Sequence, residues 1–405
     1  LLHRAFAEHG YTTLAVGKHH GSDNLYDMGF NHYWGMRDGA ANYFNPGFPR
    51  PDEPVPAQKR PGKRVWCFDG KQMQPFTPGN PEYYGTDAFT DWAIELLDRY
   101  KADKQPFFLY LAYQAPHDPL QAPEEDIARY LDRYRSGYAA VARARDQRQR
   151  EMGLIDERYP RSEPTHRNWD ALSPVEQADQ DRRMAVYAAM IDRLDRNIGR
   201  LVAYLKENGE WEDTLFLFAS DNGASAEVVE IGDGPVGAID RWSSLGPDWA
   251  NVSNTPFRYF KNWSYQGGIC TPLIAHWPNG LKDPGRISHR IGHFIDFMPT
   301  VLELTNAPYP KTYNGQTVLP SPGESFLQVL QGREAPRRKP LFFHWLRGKA
   351  VIHDGWKLVS YRDDWELFHL ANDRTETRDL LESHPQKAEE LRRLWEDWSN
   401  SLPQN

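Results

Sequence analysis

Cysteine is scarce: Cys67 and Cys270 are the two in 405 residues. They leave either one pairing or two free thiols open, set no redox compartment, and exclude a cysteine-bound metal cluster. Long apolar runs are missing as well. No stretch reaches the roughly 18 residues of a membrane span, and the run Pro106 to Tyr113 reads instead as a buried strand. Positive charge is in deficit, with 48 basic against 56 acidic residues interspersed and a net charge of −8. No basic face for a phosphate backbone is evident, which makes nucleic acid a poor partner. The chain also lacks an initiator methionine, a signal peptide and a helix-start residue, and opens Leu-Leu-His-Arg within an amphipathic pattern. It is expected to be the larger, carboxy-terminal part of a longer protein, so the missing leader does not argue for the cytoplasm.

What is present is material for a core. Hydrophobic residues make up 40% and aromatics 13%, enough for one large domain or two unequal ones. Repeats and low-complexity tracts are absent. Leu2, Phe6 and His9 before Gly10 read as a helix end with a glycine cap, followed by a strand over Thr12 to Val16. Gly35 to Pro81, rich in Gly, Pro, Asn and aromatics, reads as a long surface loop around a substrate face. Helical spacing returns over Asp87 to Tyr100, and Phe107 to Tyr113 predicts a fully buried parallel strand. Met184, Ile191, Leu194, Ile198, Leu201 and Leu205 form one helix stripe ended by Asn208-Gly209. Thr214 to Ala219 and Pro272 to Trp277 read as further buried strands.

Helices alternating with apolar strands predict an α/β fold: a mostly parallel central sheet with helices on both faces. From about Glu324 the pattern changes. A helix through Phe326 and Leu330, strands at Leu341 to Trp345, Ala350 to His353 and Trp356 to Ser360, and a last helix with Leu391, Leu394 and Trp398 predict a small carboxy-terminal α+β subdomain. The expected division is 1–323 and 324–405.

Ligands in open α/β sheets sit beyond the carboxyl ends of strands, and polar clusters occupy such places here. Gly17-Lys18-His19-His20 follows the first strand, although a lone Lys or His there is usually solvated loop. Ala115-Pro116-His117-Asp118-Pro119 stiffens the backbone around one imidazole, or is a turn with an incidental histidine. Ser220-Asp221-Asn222-Gly223 sets a carboxylate beside an amide oxygen, which suits calcium or magnesium; the plainer reading is an Asx turn. Asn254 to Lys261, followed by Tyr265-Gln266-Gly267-Gly268, places Lys261 among aromatics, where it either reaches an anion or snorkels.

In this order the clusters resemble the sulfatase family of the alkaline phosphatase superfamily. Gly10-Tyr11-Thr12-Thr13 leading to Gly17-Lys18-His19-His20 is similar to that family's Gly-Tyr-x-Thr run ending in Gly-Lys-Trp-His. His293-Phe294-Ile295-Asp296-Phe297-Met298-Pro299-Thr300 resembles its His-x-x-Asp-x-x-Pro-Thr helix start. Trp356-Lys357-Leu358-Val359, Trp365-Glu366-Leu367-Phe368 and Asp373-Arg374-Thr375-Glu376 resemble the carboxy-terminal part of arylsulfatase-like members. Two departures stand out: His19 replaces the usual tryptophan, with spacing favouring His20 as the functional imidazole, and Gly21 replaces a leucine.

The resemblance implies a sulfuric ester hydrolase acting on a small-molecule or saccharide sulfate ester. Its nucleophile is a formylglycine made from Cys/Ser-x-Pro-x-Arg. Cys270-Thr271-Pro272-Leu273-Ile274 has Ile274 where arginine is required, and Cys67 precedes no proline, so neither is the nucleophile. The motif is expected before Leu1. By the same resemblance Asp221 and Asn222 complete a calcium (or magnesium) shell, Lys18 and Lys261 neutralise sulfate oxygens, His20 acts as a base, and His117 helps Lys261 at the leaving oxygen. His276, His293 and His344 are left as structural or substrate-face residues. A periplasmic or secreted location is also implied. Alternatives are a phosphate or phosphonate ester hydrolase of the same superfamily, and a non-catalytic sulfated-sugar-binding protein.

Overall fold

The computed structural model describes residues 2–103, 105–313 and 315–402. Its main sheet has five strands: β1 Thr12–Lys18, β2 His32–Met36, β3 Trp66–Phe68, β4 Lys71–Met73 and β5 Phe107–Ala112, in the spatial order β4-β3-β2-β1-β5. β1 runs parallel to both β2 and β5, whereas β3 and β4 are antiparallel additions, so the sheet is mixed. Two of these strands lie inside the stretch expected to be pure loop, where Trp66 and Cys67 bury their side chains on the sheet.

Side chains alternate faces along a strand, and β1 uses both. Leu14 and Val16 pack with Phe89, Ala93 and Leu96 of the helix Gly85–Tyr100. Ala15 joins Phe30 and Phe108, and Phe6 of the first helix, Leu2–Glu8, stacks on Phe108 at 4.4 Å. Helices thus cover opposite faces. At the end of β1, Gly17 has φ +104, and a Cβ there would stand 2.1 Å from the Ala112 carbonyl of β5. Only glycine lets the two strands approach where the site begins.

The long helix Pro174–Glu207 starts ten residues ahead of the first stripe residue, Met184, at a capping box between Ser173 and Glu176 with proline in the first turn. Its buried face runs through Ala185, Val186, Ala189, Met190, Leu194, Leu201 and Leu205, while Ile191 is 43% exposed. The buried face keeps the 3.6-residue period, but in the first half Ala185 and Met190 are buried where the stripe had Met184 and Ile191.

Two strand expectations are corrected. β5 is not fully buried: it forms an edge of the main sheet, and Tyr110 is 44% exposed. β6 Phe216–Ala219 and β7 Leu273–His276 do not join that sheet among the described residues, but pair antiparallel with each other, leaving Ile274 58% exposed. An apolar run reports that a strand has covered faces; it does not report which edge is hydrogen-bonded or in which direction.

A two-residue hairpin of β8 Thr312–Tyr313 and β9 Gln316–Thr317 follows. The chain then forms a four-stranded antiparallel sheet, β10 Leu341–Trp345, β11 Gly348–His353, β12 Trp356–Tyr361 and β13 Asp364–His369. The closing helix Pro385–Ser401 lays Ala388, Leu391 and Trp395 on one face of it, over Val351, Leu358 and Leu367. The other face, with Ala350, Val359 and Phe368, packs on Tyr265, Trp263 and Tyr259 of the main body. Among the described residues no helix is long and apolar enough to cross a membrane, and both cysteines are free, Cys67 buried.

Candidate functional site

Three strand ends and one loop build the site. Lys18 is the last residue of β1, and His20 follows it with φ +57, turning back over the sheet end. Behind β5, Gln114 clamps the backbone by accepting from Ala41 N (3.0 Å) and donating to Ala41 O (2.8 Å). Tyr43 Oη donates to the His117 carbonyl at 2.9 Å. The imidazole is therefore carried on a braced turn.

At the end of β6, Ser220 Oγ donates to Asn222 O (2.9 Å), and Thr271 Oγ1 donates to Ser220 O (2.7 Å). Gly223 N donates to Gly268 O at 3.0 Å, and a Cβ on Gly223 would sit 1.8 Å from Gly267 O. The glycine pair is what allows the two loops to touch. Asn254 ties the remaining pieces: its Oδ1 accepts from Ala224 N (3.0 Å) and its Nδ2 donates to Tyr259 O (3.1 Å). Lys261 N then donates to Ala224 O at 3.0 Å.

These elements bring the polar groups together. Lys261 Nζ donates to His117 Nε2 at 3.2 Å, while His117 Nδ1 donates to the Asp118 carbonyl at 2.8 Å with Asp118 Oδ1 3.1 Å away. That pair of contacts assigns the proton of a neutral His117 to Nδ1 and leaves Nε2 as the acceptor. Lys18 is held below the usual lysine range, by burial first and by Lys261 and Arg64, against the pull of Asp221 and Asp118. His20 is likewise lowered by burial and then by Lys18, His117, Lys261 and Arg64, which favours a neutral imidazole at neutral pH. His19 lies elsewhere, with Asp23 as its charged neighbour. Lys18, His20, His117, Lys261 and Asp221 thus share one electrostatic neighbourhood.

Of the other histidines, His276 stacks on Trp211 at 4.3 Å, His293 caps a helical turn by accepting from Ile295 N at 3.2 Å, and His344 lies edge-on to Trp395. All three are packing or capping groups.

Sequence reasoning missed four participants. Asp118 is buried, and its Oδ2 accepts from Ser244 Oγ at 2.8 Å. Glu227 bonds Lys59 at 2.7 Å and lies 3.6 Å from Lys261; Lys59 also stands 3.9 Å from Asp118. Arg64 reaches the fields of Lys18 and His20. The one signal in the chain is the run Lys59-Arg60-Pro61-Gly62-Lys63-Arg64, four cations in six residues of an acidic protein; nothing local marks Glu227.

Two sets of donor atoms are available for a cation. His117, Asp118 and Glu227 have ligand atoms within 4.8 Å of one another, but Lys59 and Lys261 already sit 2.7 to 3.9 Å from those carboxylates, so a divalent ion there meets two ammonium charges. The loop after β6 fits better. Asp221 is exposed and shows no hydrogen bond or ion pair among the described residues, and Asn222 donates only through Nδ2, to Gly223 O at 2.9 Å, which leaves its Oδ1 free. Two unengaged hard oxygen donors side by side match calcium or magnesium chemistry.

Asp118 makes an acid-stability prediction. Burial alone raises its pKa, but its contact with His117, 3.1 Å away, the Ser244 hydrogen bond and the Lys59 charge bring it down to about 2. With an unfolded value near ~3.9, its stabilisation, on the order of 2–3 kcal/mol, is fully present above about pH 4 and lost as pH falls towards about 2. In urea unfolding, the stability gap between wild type and Asp118→Asn should therefore shrink between pH 6 and acid. A gap independent of pH would contradict the assigned charge.

Comparisons with known proteins agree with this layout. The sulfatase family model matches residues 1–307, and the model of the N-sulphoglucosamine sulphohydrolase carboxy-terminal region matches residues 256–401. An uncharacterised sulfatase of Schizosaccharomyces pombe is 33% identical over 355 residues, covering 77% of this chain and 61% of its own length. An arylsulfatase of Klebsiella aerogenes is 33% identical over 359 residues, covering 83% of this chain and 74% of its own. Among solved structures, Ps i-CgsB in complex with k-i-k-neocarrahexaose has a TM-score of 0.67 at 24% identity, covering 98% of this chain and 73% of that one, a likeness of fold. The chain thus spans about three fifths of the first relative's length. Since the family model runs through the ends of β1, β5 and β6 and past Lys261, this chain belongs to the sulfatase family.

Proposed function

We propose that the chain carries the sulfate-holding and cation-completing part of a sulfuric ester hydrolase acting on aryl or saccharide sulfate monoesters. The observation that carries this reading is the meeting of Lys261 and His117 at 3.2 Å within the fields of Lys18 and His20, beside the free carboxylate of Asp221. Ammonium groups fixed before substrate arrives stabilise charge as it develops on sulfate oxygens, without reorganisation during reaction.

Asp221 and Asn222 would hold the family's metal ion, which when bound polarises the sulfate and the attacking oxygen. Lys18 binds a sulfate oxygen. Lys261, its ammonium oriented by one N–H to the Nε2 lone pair of His117, faces the leaving oxygen and gives it a proton from another N–H as the ester bond breaks. His20, neutral at working pH, accepts the proton of the second hydroxyl of the formylglycine hydrate when the covalent sulfate ester collapses. No Cys/Ser-x-Pro-x-Arg run lies within these 405 residues, so in this reading the nucleophile comes from residues outside them.

The test has two arms. Inorganic sulfate should bind the 405-residue chain in calorimetry with calcium present, and Lys18→Ala should weaken it. The same chain should release no aryl alcohol from 4-nitrophenyl sulfate. Absence of sulfate binding sinks the anion site; cation-dependent turnover sinks the external nucleophile and returns attention to Cys270.

A further inference from the structure

Most arginines of this protein end on a carboxylate, but Arg64 does not. It is half-buried, and no ion pair or hydrogen bond of its guanidinium is found among the described residues. The charge of Asp38 reaches it, but Asp38 forms no ion pair with it and its Oδ2 accepts from Val65 N at 2.6 Å. A half-desolvated cation with no ion-pair partner is costly, and the direction it faces is informative. A Cβ placed on Gly39 would lie 3.0 Å from His20 Nε2 and 3.6 Å from Arg64 Nη1. The two groups therefore flank the same small gap, which the absence of a side chain at Gly39 keeps open.

The loop that presents Arg64 is anchored at both ends. Ala57 N donates to Ile239 O at 2.9 Å, and Arg37 N donates to Val65 O at 3.0 Å. Within it, Lys59 is bound to Glu227 and packs over the Trp242 ring at 5.3 Å, while Arg60 and Lys63 are exposed. A chain of net charge −8 thus overhangs its anion-binding cluster with four cations in six residues. Lys59 is neutralised locally, and the other three are not paired with any acid among the described residues.

We infer that the loop Lys59 to Arg64 forms a second oxyanion subsite beside the sulfate ester, with Arg64 as its centre, so that the substrate carries a second sulfate or a carboxylate. The inference rests on the sulfate-ester reading above and names the class within it: a polyanionic saccharide ester rather than a neutral monosulfate. Guanidinium is suited to this because its planar fork meets either oxyanion with two parallel hydrogen bonds. Arg60 and Lys63, farther out, add a screened attraction that falls with salt.

Calorimetry on the 405-residue chain with calcium separates the ideas, using inorganic sulfate, a methyl hexoside monosulfate, the matching disulfate and a monosulfated methyl hexuronide. The disulfate or the hexuronide is expected to bind about tenfold tighter than the monosulfate, and which of them does so identifies the second group. Arg64→Gln should collapse that ratio to within about twofold, with Arg64→Lys retaining part of it. A ratio unchanged in Arg64→Gln overturns the subsite, as does a wild type with no preference for a second anion, while sulfate binding would keep the sulfate-ester reading standing in both cases. If inorganic sulfate itself does not bind, that reading fails first and the subsite with it. Unchanged thermal melting of Arg64→Gln and Arg64→Lys keeps the comparison free of folding effects.

Discussion

In a form that contains the nucleophile segment, Lys261→Ala is expected to lower turnover of sulfate esters by about 100-fold or more, the usual effect of removing one preorganised charge from a reacting centre. The geometry supports a number of that size. The Lys261 ammonium is not at the surface end of a snorkelling side chain; it is held 3.2 Å from His117 and 3.6 Å from Glu227, with its backbone pinned to Ala224. A merely surface lysine changes stability by roughly 0.5 kcal/mol or less and leaves catalysis alone. Leaving groups give the sharper test. If Lys261 meets the departing oxygen, kcat should fall more for an ester with a poor leaving group than for 4-nitrophenyl sulfate. Equal, small losses on both substrates would return Lys261 to a packing role and leave Lys18 as the sulfate lysine.

Lys357→Met is expected to destabilise the protein by roughly 3–5 kcal/mol. Lys357 and Glu376 are both fully enclosed, with Nζ and Oε1 2.5 Å apart. Burial drives the lysine down and the glutamate up from their ordinary pKa values, and their mutual attraction opposes both shifts. Removing the cation strands the Glu376 carboxylate where no water reaches it. Glu376 Oε2 also accepts from Gln266 N at 2.7 Å, and Lys357 donates to Gln266 Oε1 at 3.2 Å. The pair therefore grips the turn whose Gly267 and Gly268 close on Arg258 and Gly223, beside the Arg258 to Glu366 bridge at 2.8 Å and the Tyr265 to Glu366 hydrogen bond. Lys357→Met with Glu376→Leu should recover part of the loss, short of the two Gln266 hydrogen bonds worth about 1 kcal/mol each. Urea unfolding of both variants measures this; a single-variant cost below 1 kcal/mol would mean that the carboxylate simply takes up a proton and remains at ease.

The chain's own pattern determined a good deal. Thr12 to Val16 ending at Gly17, the apolar run from Phe107, the helical spacing over Asp87 to Tyr100 and the late change to short strands are all properties of contiguous residues, because period and side-chain branching act over a few positions. Of the candidate residues named from order and resemblance, Lys18 ends β1, and His20, His117, Asp221 and Asn222 lie in the turns just after β1, β5 and β6, because a strand must end where its polar residues begin; Lys261 instead lies in the loop after the helix Gly246–Ser253. Which histidine of the pair faces the cluster was readable only as a matter of spacing; the field of Lys18, His117 and Lys261 at His20, and of Asp23 at His19, is a fact of the folded chain.

Tertiary structure alone decided the rest. The antiparallel pairing of β6 with β7 and the half-exposed edge of β5 depend on which backbone edges meet, and an apolar run is silent on edges. Glu227 reaches Lys59 across 168 positions and Lys357 reaches Gln266 across 91; no local period encodes such distances. Arg64 is the clearest case. In sequence it is one of four cations in a run that ordinarily stays solvated, and only folding brings it half out of water, beside His20 and with no ion-paired carboxylate among the described residues, because the cost of burying a charge depends on what surrounds it rather than on what precedes it.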